Sequence, residues 1–233
     1  MKADFDEYQD SYAATVDASI GFTGQDVDFF ARLKADDLVE TIVRRLGAAE
    51  ATRVLDVGCG AGLTDAHLVA RVGELHGTDL SRGLLDTAAA ANPGVSYRLA
   101  DESALPFEDG SFDVSFAICV LHHVDPDGRE PFVREMTRVT RAGGLVLVYE
   151  HNPLNPLTRV AVSRCEFDHG VVLLRPGETA GLLRGAGALP IESRYIAFFP
   201  WRTRVLHAVE RALARLPLGG QFVVVGQVGD ALL

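Results

Sequence analysis

A short apolar run that ends in three closely spaced glycines constrains the fold of this chain most strongly. The run extends from Arg53 to Val57, and Gly58, Gly60 and Gly62 follow it at alternate positions. Such a run predicts a buried strand, and the glycines allow a tight turn that brings the backbone close to a ligand at a helix N-terminus. The pattern indicates a nucleotide-type site, although its G-x-G-x-G spacing differs from the G-x-G-x-x-G dinucleotide fingerprint.

From this turn onward, β-branched runs alternate with helical stretches. The alternation predicts βαβ units, and therefore an α/β fold with a mostly parallel sheet covered by helices on both faces. Ser81 is expected to cap a helix that runs through Ala91, because Asn92, Pro93 and Gly94 end it. Further helices are expected over residues 129–141 and 201–216. Seven strands are expected, at about residues 53–58, 74–79, 95–99, 112–119, 144–150, 193–199 and 221–228.

Two segments lie outside this alternation. Residues 1–46 are expected to form an N-terminal helical cap, because apolar residues recur at helical spacing from Asp26 to Leu46. The aromatic stretch from Phe5 to Phe22 forms either a lid over a pocket or a helix that simply packs on the domain. Residues 151–175 contain several prolines, and they are either a substrate-side insert or a proline-stiffened connection.

Composition and charge limit the possible partners. With 233 residues, 48% of them hydrophobic, the chain can bury one sizeable core, so a single domain over residues 1–233 is expected. The formal net charge of −10 would repel phosphate backbones and anionic lipids, so neither nucleic acid nor a membrane is an expected partner. The first residues do not fit a signal peptide, which predicts a cytoplasmic location. Cys59, Cys119 and Cys165 lack paired spacing and are expected to be free thiols.

A carboxylate at the end of the second predicted strand narrows the ligand. Asp79 lies where an acidic side chain can accept hydrogen bonds from both ribose hydroxyls of a nucleotide. This role fits the adenosine of either NAD or S-adenosylmethionine. Further along the chain come Ala100-Asp101-Glu102 with Leu105-Pro106-Phe107, and then the strand Phe112 to Cys119 followed by Leu121-His122-His123.

In their order and spacing, these motifs resemble the class I S-adenosylmethionine-dependent methyltransferases over roughly residues 50–150. The resemblance implies a Rossmann-like sheet with strand order 3-2-1-4-5-7-6, in which the last strand is antiparallel. It also implies that S-adenosylmethionine is the cofactor and S-adenosylhomocysteine its product. Asp56 would then assist at the ammonium group, Asp79 would bind the ribose and Asp101 the adenine amino group. The cofactor-binding residues implied in this way are Asp56, Gly58, Cys59, Gly60, Gly62, Asp79, Leu80, Asp101, Glu102 and Cys119.

Three histidines are the candidates for a catalytic base. His122 and His123 follow the fourth predicted strand and His151 follows the fifth, and ligands of open parallel sheets bind beyond the carboxyl ends of strands. Alternatively, these histidines cap helices or satisfy backbone groups. No metal site is expected, because adjacent histidines on a turn usually point apart and only Asp125 follows at short spacing. Tyr12 is a candidate for closing over the cofactor.

The expected function is transfer of a methyl group to a small-molecule acceptor, with oxygen favoured as the methylated atom. One alternative keeps the fold and the cofactor but performs a non-methylating reaction in the same pocket. Another, an NAD-dependent oxidoreductase, leaves the Asp101 segment unexplained. Methylation of a protein or RNA is disfavoured by the acidic charge and by the lack of an added recognition domain. The chain is expected to be a monomer or a homodimer.

Overall fold

The computed structural model describes residues 12–101, 104–201 and 203–229. Within them, seven strands form one sheet in the order β3-β2-β1-β4-β5-β7-β6. The five strands from β3 to β5 are parallel, and β7 runs antiparallel to both of its neighbours. The predicted order and the antiparallel last strand are therefore confirmed. The strands are β1 (Arg53–Val57), β2 (Glu74–Asp79), β3 (Ser96–Leu99), β4 (Phe112–Ile118), β5 (Thr140–His151), β6 (Ala188–Ile196) and β7 (Gln221–Val228).

α-Helices connect most of these strands, and their ends follow local capping rules. Asp26 caps the long N-terminal helix by accepting the N–H of Phe29, and Ser81 caps the helix after β2 by accepting the N–H of Leu84, as predicted. None of the helices in the described residues combines the length and the apolar character needed to cross a membrane. The helices in these residues are α1 (Tyr12–Ile20), α2 (Val27–Leu46), α3 (Asp65–Leu68), α4 (Arg82–Ala91), α5 (Arg129–Val139), α6 (Pro156–Arg164), α7 (Pro176–Gly185) and α8 (Arg204–Leu213).

The sheet has an apolar layer on each face. In β5, Leu147 and Tyr149 point to the face covered by α2, while Val146 and Val148 point to the face covered by α5 and α7. Alternate residues of a strand point to opposite faces, so a strand buried on both sides is apolar throughout. The helices on both faces confirm the predicted layering. The carboxyl ends of the parallel strands lie along one edge of the sheet, and side chains from several strands converge there.

The predicted starts of two strands are wrong, and β6 also ends at Ile196 rather than at residue 199. β5 begins at Thr140 rather than at residue 144, because Thr140 pairs with Phe112 ahead of a register shift. At Gly144 a Cβ would lie 2.6 Å from the carbonyl oxygen of Asp113, so this glycine permits close approach of two strands. β6 begins at Ala188 rather than at residue 193, because it pairs with β7 from that point.

The segment predicted as an irregular insert is partly helical. α6 begins at Pro156, and the side chain of Asn155 caps it by accepting the N–H groups of Leu157 and Thr158. Proline is favoured in the first helical turn, where its missing N–H costs nothing. A short 3-10 helix, Glu166–Asp168, follows α6. The division of the chain into a cap, a domain and an insert stays a prediction, although α1 does pack against α6.

Candidate active site

The glycine turn leaves the carboxyl end of β1 in a conformation that requires glycine. Gly58, Gly60 and Gly62 have φ angles of 78°, 54° and 71°, in the left-handed region that L side chains rarely adopt. A Cβ at Gly58 would lie 2.7 Å from Val120 Cγ2, and a Cβ at Gly62 would lie 2.6 Å from Asn92 Nδ2. The turn is thus held tightly between the loop after β4 and the end of α4.

Asp79 lies beside this turn, at the end of β2. Its Oδ2 accepts the backbone N–H of Gly60 at 2.9 Å, and its Oδ1 accepts the backbone N–H of Ser81 at 2.9 Å. The carboxylate therefore connects the glycine turn to the start of α4. Leu80, which follows it, is exposed.

A pair of buried carboxyl groups lies beneath the turn. Asp56 and Asp65 lie close enough that each shifts the pKa of the other, and because two buried carboxylates at such close range cannot both ionise, we infer that they share a proton. Oδ1 of each is buried and receives no hydrogen bond from an N–H or O–H group of the described residues. Burial, together with Asp65, raises the pKa of Asp56 well above its ordinary value. Burial likewise raises the pKa of Asp65 to about 6. Lys34 of α2 is also buried, and its positive charge opposes the upward shift of the Asp56 pKa.

Asp65 was not predicted as a site residue, yet it anchors the turn to the edge of the sheet. The hydroxyl of Tyr97 in β3 donates to Asp65 Oδ2 at 2.8 Å. The side-chain amide of Asn92 lies 3.1 Å from the Tyr97 hydroxyl and donates to the carbonyl oxygen of Gly62 at 3.0 Å. The one signal in the sequence was an acidic residue among apolar ones at the start of α3.

The remaining predicted cofactor residues lie around the same edge. Asp101 is exposed, and its Oδ1 accepts the N–H of Ala104 at 2.8 Å. Cys59 is partly buried, and burial raises the pKa of its thiol far above the ordinary range. Glu102 and residues 1–11 lie outside the described residues, as does the side chain of Tyr12. The structure therefore gives no contact for these two candidates.

Cys119 is the first residue after β4, and its backbone is strained. Its φ of 57° is unusual for a residue other than glycine. The N–H of Cys119 donates to the carbonyl oxygen of Tyr149 at 2.8 Å, and its sulfur lies 3.4 Å from Nε2 of Gln221. Burial raises the pKa of its thiol to about 11. All three cysteines are free, as predicted.

Five ionisable side chains meet where β4 and β5 end. We call this group the histidine corner, and its members are His122, His123, Glu150, His151 and Asp168. Nδ1 of His122 lies 2.6 Å from Glu150 Oε2. Nε2 of His122 lies 3.4 Å from Asp168 Oδ1, and Nε2 of His123 lies 3.3 Å from the same oxygen. The His122 ring centroid is 4.2 Å from that of His123 and 5.1 Å from that of His151. Three separate chain segments thus contribute to one cluster.

Burial and charge determine the protonation of the corner. Burial lowers the pKa of His122, but Glu150 and Asp168 raise it more, to well above its ordinary value. Burial raises the pKa values of Glu150 and Asp168, but the neighbouring histidines lower both more, to below the ordinary range. Burial lowers the pKa of His123 below its ordinary value, and it lowers the pKa of His151 to about 4.

The expectation that the two adjacent histidines point apart, with no further ligand nearby, is wrong. The chain after β4 makes a tight turn in which the N–H of His123 donates to the carbonyl oxygen of Val120 at 2.9 Å. This turn brings the two rings together at an interplanar angle of 43°, and the 3-10 helix of the insert brings Asp168 near both. Sequence reasoning missed Glu150 and Asp168, because neither lies near His122 and His123 along the chain.

Comparison with known proteins agrees with this geometry. A family model described as a methyltransferase domain matches residues 55–148. The ubiquinone biosynthesis O-methyltransferase of Ralstonia nicotianae is 31% identical over 166 residues, which cover 64% of this chain and 67% of that protein. The chain belongs to the class I S-adenosylmethionine-dependent methyltransferases. Methyltransferase GfsG of Streptomyces halstedii is 37% identical over 118 residues, which cover 48% of this chain but only 42% of GfsG.

A solved structure shows the same class I methyltransferase fold. It is that of an S-adenosylmethionine-dependent methyltransferase from Thermotoga maritima, described as a possible histamine N-methyltransferase. The TM-score is 0.66, and the match covers 96% of this chain and 97% of that one at 18% identity. At this identity the likeness concerns the fold, and it agrees with the strand order described above.

The residues around the turn fit S-adenosylmethionine, the cofactor of this family. The Asp56–Asp65 pair has two buried oxygens that receive no N–H donor, which suits a ligand with an ammonium group. The glycines leave the backbone open to close approach, and the Asp79 carboxylate lies at the position suited to ribose hydroxyls.

The buried carboxyl pair predicts that Asp65→Asn stabilises the ligand-free methyltransferase at alkaline pH. An asparagine oxygen can still accept from Tyr97, while its amide donates to Asp56 and removes the need for a shared proton. Because the folded pKa values of the pair are raised, the folded state holds protons that the unfolded state has already lost. Stability therefore falls as pH rises from about 4 through about 6. We expect a gain on the order of 1–3 kcal/mol at pH 8 that falls to about half of that value at pH 5.

Urea unfolding at the two pH values measures this difference. Asp86→Asn, which changes an exposed carboxylate on α4, is the matched control and should have little effect. Lys34 and Asp79, the other charged groups that act on Asp56, are unchanged in both variants. A gain that is equal at pH 5 and pH 8 would contradict the shared-proton interpretation.

Proposed function

We propose that this chain transfers the methyl group of S-adenosylmethionine to an oxygen atom of a small-molecule acceptor. The observation that carries the proposal is the position of the histidine corner, directly beside the glycine turn. Val120, two residues before His122, packs against Gly58 of the turn. The corner therefore lies next to the place where the methionine portion of the cofactor is expected to bind.

The chemistry requires the chain to position the acceptor and to take up one proton. S-adenosylmethionine, when bound, supplies a methyl group that is already activated as a sulfonium. The acceptor oxygen forms a bond to the methyl carbon as the carbon–sulfur bond breaks. The electron pair of the broken bond stays on the sulfur of S-adenosylhomocysteine. The hydroxyl proton passes to the histidine corner and then to solvent. Positioning and proton removal are thus the tasks left to the protein.

We assign these tasks to the corner according to the burial of its members. His123 and His151 are partly exposed, whereas His122 and Glu150 are almost fully buried behind them. His123 is held by Asp168, so its ring is oriented and can face the acceptor. His122 positions the cluster from behind, through its bond to Glu150.

Two further observations support a small acceptor. The Ralstonia relative is named as an O-methyltransferase of ubiquinone biosynthesis, which favours oxygen as the methylated atom. The net charge of −10 disfavours an anionic polymer. A cytoplasmic location and a monomeric or homodimeric state stay predictions.

Ligand binding followed by turnover tests the proposal. S-adenosylhomocysteine is expected to raise the melting temperature of the purified chain, because a ligand that binds only the folded state stabilises it. NAD is expected to leave the melting temperature unchanged. With methyl-labelled S-adenosylmethionine and a panel of small alcohols, phenols, amines and acidic carbon compounds, we expect equal amounts of S-adenosylhomocysteine and methylated product. Stabilisation by NAD alone would contradict the cofactor assignment, and binding without turnover on any acceptor would favour the non-methylating alternative.

A further inference from the structure

We propose that His122, His123 and Asp168 bind a divalent transition-metal ion of the Zn²⁺ type, to which the acceptor oxygen coordinates. The acceptor part of this inference rests on the proposed function, whereas the metal site rests on geometry alone. The sequence predicted no metal here, and the structure removes both reasons for that prediction.

The separations between Asp168 Oδ1 and the two histidine nitrogens fit a metal better than hydrogen bonds. The three atoms, one from each side chain, lie within 4.8 Å of one another. Asp168 Oδ1 is 3.4 Å from Nε2 of His122 and 3.3 Å from Nε2 of His123. A charge-assisted N–H···O bond is usually about 2.7–2.9 Å long. Ligands about 2.0–2.2 Å from a tetrahedral zinc ion are about 3.3–3.6 Å apart.

Glu150 contacts the outer ring nitrogen of His122, as a carboxylate often does on a histidine that binds a metal. Glu150 Oε2 lies 2.6 Å from Nδ1 of His122, and Glu150 Oε1 accepts the N–H of Leu121 at 2.8 Å. The carboxylate thereby fixes the ring and directs Nε2 toward Asp168. A carboxylate on the outer nitrogen of a metal-binding histidine orients the ring and strengthens its donor atom.

The charges of the corner also favour a divalent cation. The side chains of Glu150 and Asp168 are 0% and 8% exposed, and buried carboxylates are costly without a compensating positive charge. A protonated His122 balances one of the two negative charges of these carboxylates, whereas a divalent metal ion balances both. The guanidinium of Arg129, also near, donates to backbone carbonyl oxygens of the neighbouring segments.

The ligand types select the class of ion. Two imidazole nitrogens and one carboxylate oxygen suit Zn²⁺, Co²⁺, Ni²⁺ or Fe²⁺, whereas Mg²⁺ prefers oxygen ligands in octahedral geometry. Three protein ligands leave at least one position open, as in catalytic zinc sites. An acceptor hydroxyl in that position would lose its proton more readily, because a bound divalent ion lowers the pKa of a coordinated oxygen.

Metal titration of the full chain tests the site without acceptor or cofactor. After treatment with a chelator, the protein is titrated with Co²⁺ while visible absorption is recorded, and with Zn²⁺ by calorimetry. We expect one ion per chain and the strong d–d bands of four-coordinate Co²⁺. His123→Ala and Asp168→Asn should each weaken binding at least 100-fold, and Glu150→Gln about 10- to 100-fold.

His169→Ala is the matched control, since this exposed histidine is adjacent to Asp168 but lies outside the cluster. Binding of S-adenosylhomocysteine shows whether each variant is folded. The metal site is overturned if Co²⁺ gives no such bands, or if His123→Ala and Asp168→Asn bind Zn²⁺ as tightly as the unmodified chain. Methyl transfer that persists in fully metal-free protein would refute coordination of the acceptor by the ion and leave the proposed function intact. One bound ion without methyl transfer would support the site and count against the proposed function.

Discussion

Replacing His123 with alanine is expected to lower kcat for methyl transfer by about 10²- to 10⁴-fold. His123 is the partly exposed member of the corner that is oriented by Asp168, so its loss removes a group that faces the acceptor. The glycine turn follows β1 and Asp79 ends β2, whereas this ring belongs to the segment after β4. The Kd for S-adenosylhomocysteine should therefore stay within about twofold, because the variant acts on the reaction and not on cofactor binding.

Steady-state kinetics with the acceptor identified in the panel, together with calorimetry of S-adenosylhomocysteine, separate these two effects. His169→Ala should retain full activity. If His123→Ala turns over normally, the acceptor does not lose its proton at the histidine corner. If it loses cofactor affinity and activity together, His123 supports the fold of the site and does not take part in chemistry.

Removing the Asp79 carboxylate should produce the largest loss of cofactor affinity. Asp79→Ala is expected to weaken binding of S-adenosylhomocysteine by on the order of 1–3 kcal/mol, or roughly 5- to 150-fold, through loss of a charged hydrogen-bond acceptor. The structure adds a second reason for the loss of affinity, because the same carboxylate accepts hydrogen bonds from the N–H groups of Gly60 and Ser81. The variant therefore also releases the turn at which we propose that the cofactor binds.

Asp79→Asn retains one acceptor oxygen and should lie between Asp79→Ala and the unmodified chain. Asp86→Asn, an exposed change on the neighbouring helix, serves as the control and should bind normally. Calorimetry gives the Kd of each protein. An unchanged Kd in Asp79→Ala would place the ribose elsewhere and contradict the cofactor site. At saturating S-adenosylmethionine, kcat should be affected less than kcat/KM.

Features that depend on neighbours in sequence were predicted well. The glycine turn, the Ser81 cap and the apolar strand β4 each follow from local spacing and backbone preference. α6 is not predicted from the sequence, because the prolines of residues 151–175 indicate an irregular insert or a proline-stiffened connection. Asn155 and Pro156 together are in fact a helix start signal.

Features that depend on contacts between distant segments were not predictable in the same way. Asp168 lies far along the chain from His123, and only the path of the insert brings the two together. The limits of β6 depend on its pairing with β7, since an edge strand is half-buried and shows a weak apolar pattern. Asp65 and Tyr97 likewise meet only when α3 and β3 pack on the folded sheet.

The origin of Asp168 in the insert has a consequence for how such enzymes diversify. The cofactor turn belongs to β1 and its neighbours, whereas Asp168 belongs to a segment between β5 and α7 that also packs against α1. Exchange of that segment alone would replace Asp168 in the corner and leave the glycine turn and Asp79 unchanged. Under the proposed function, acceptor preference can therefore evolve, or be engineered, by changes in this segment alone, without changes in the residues proposed to bind the methyl donor.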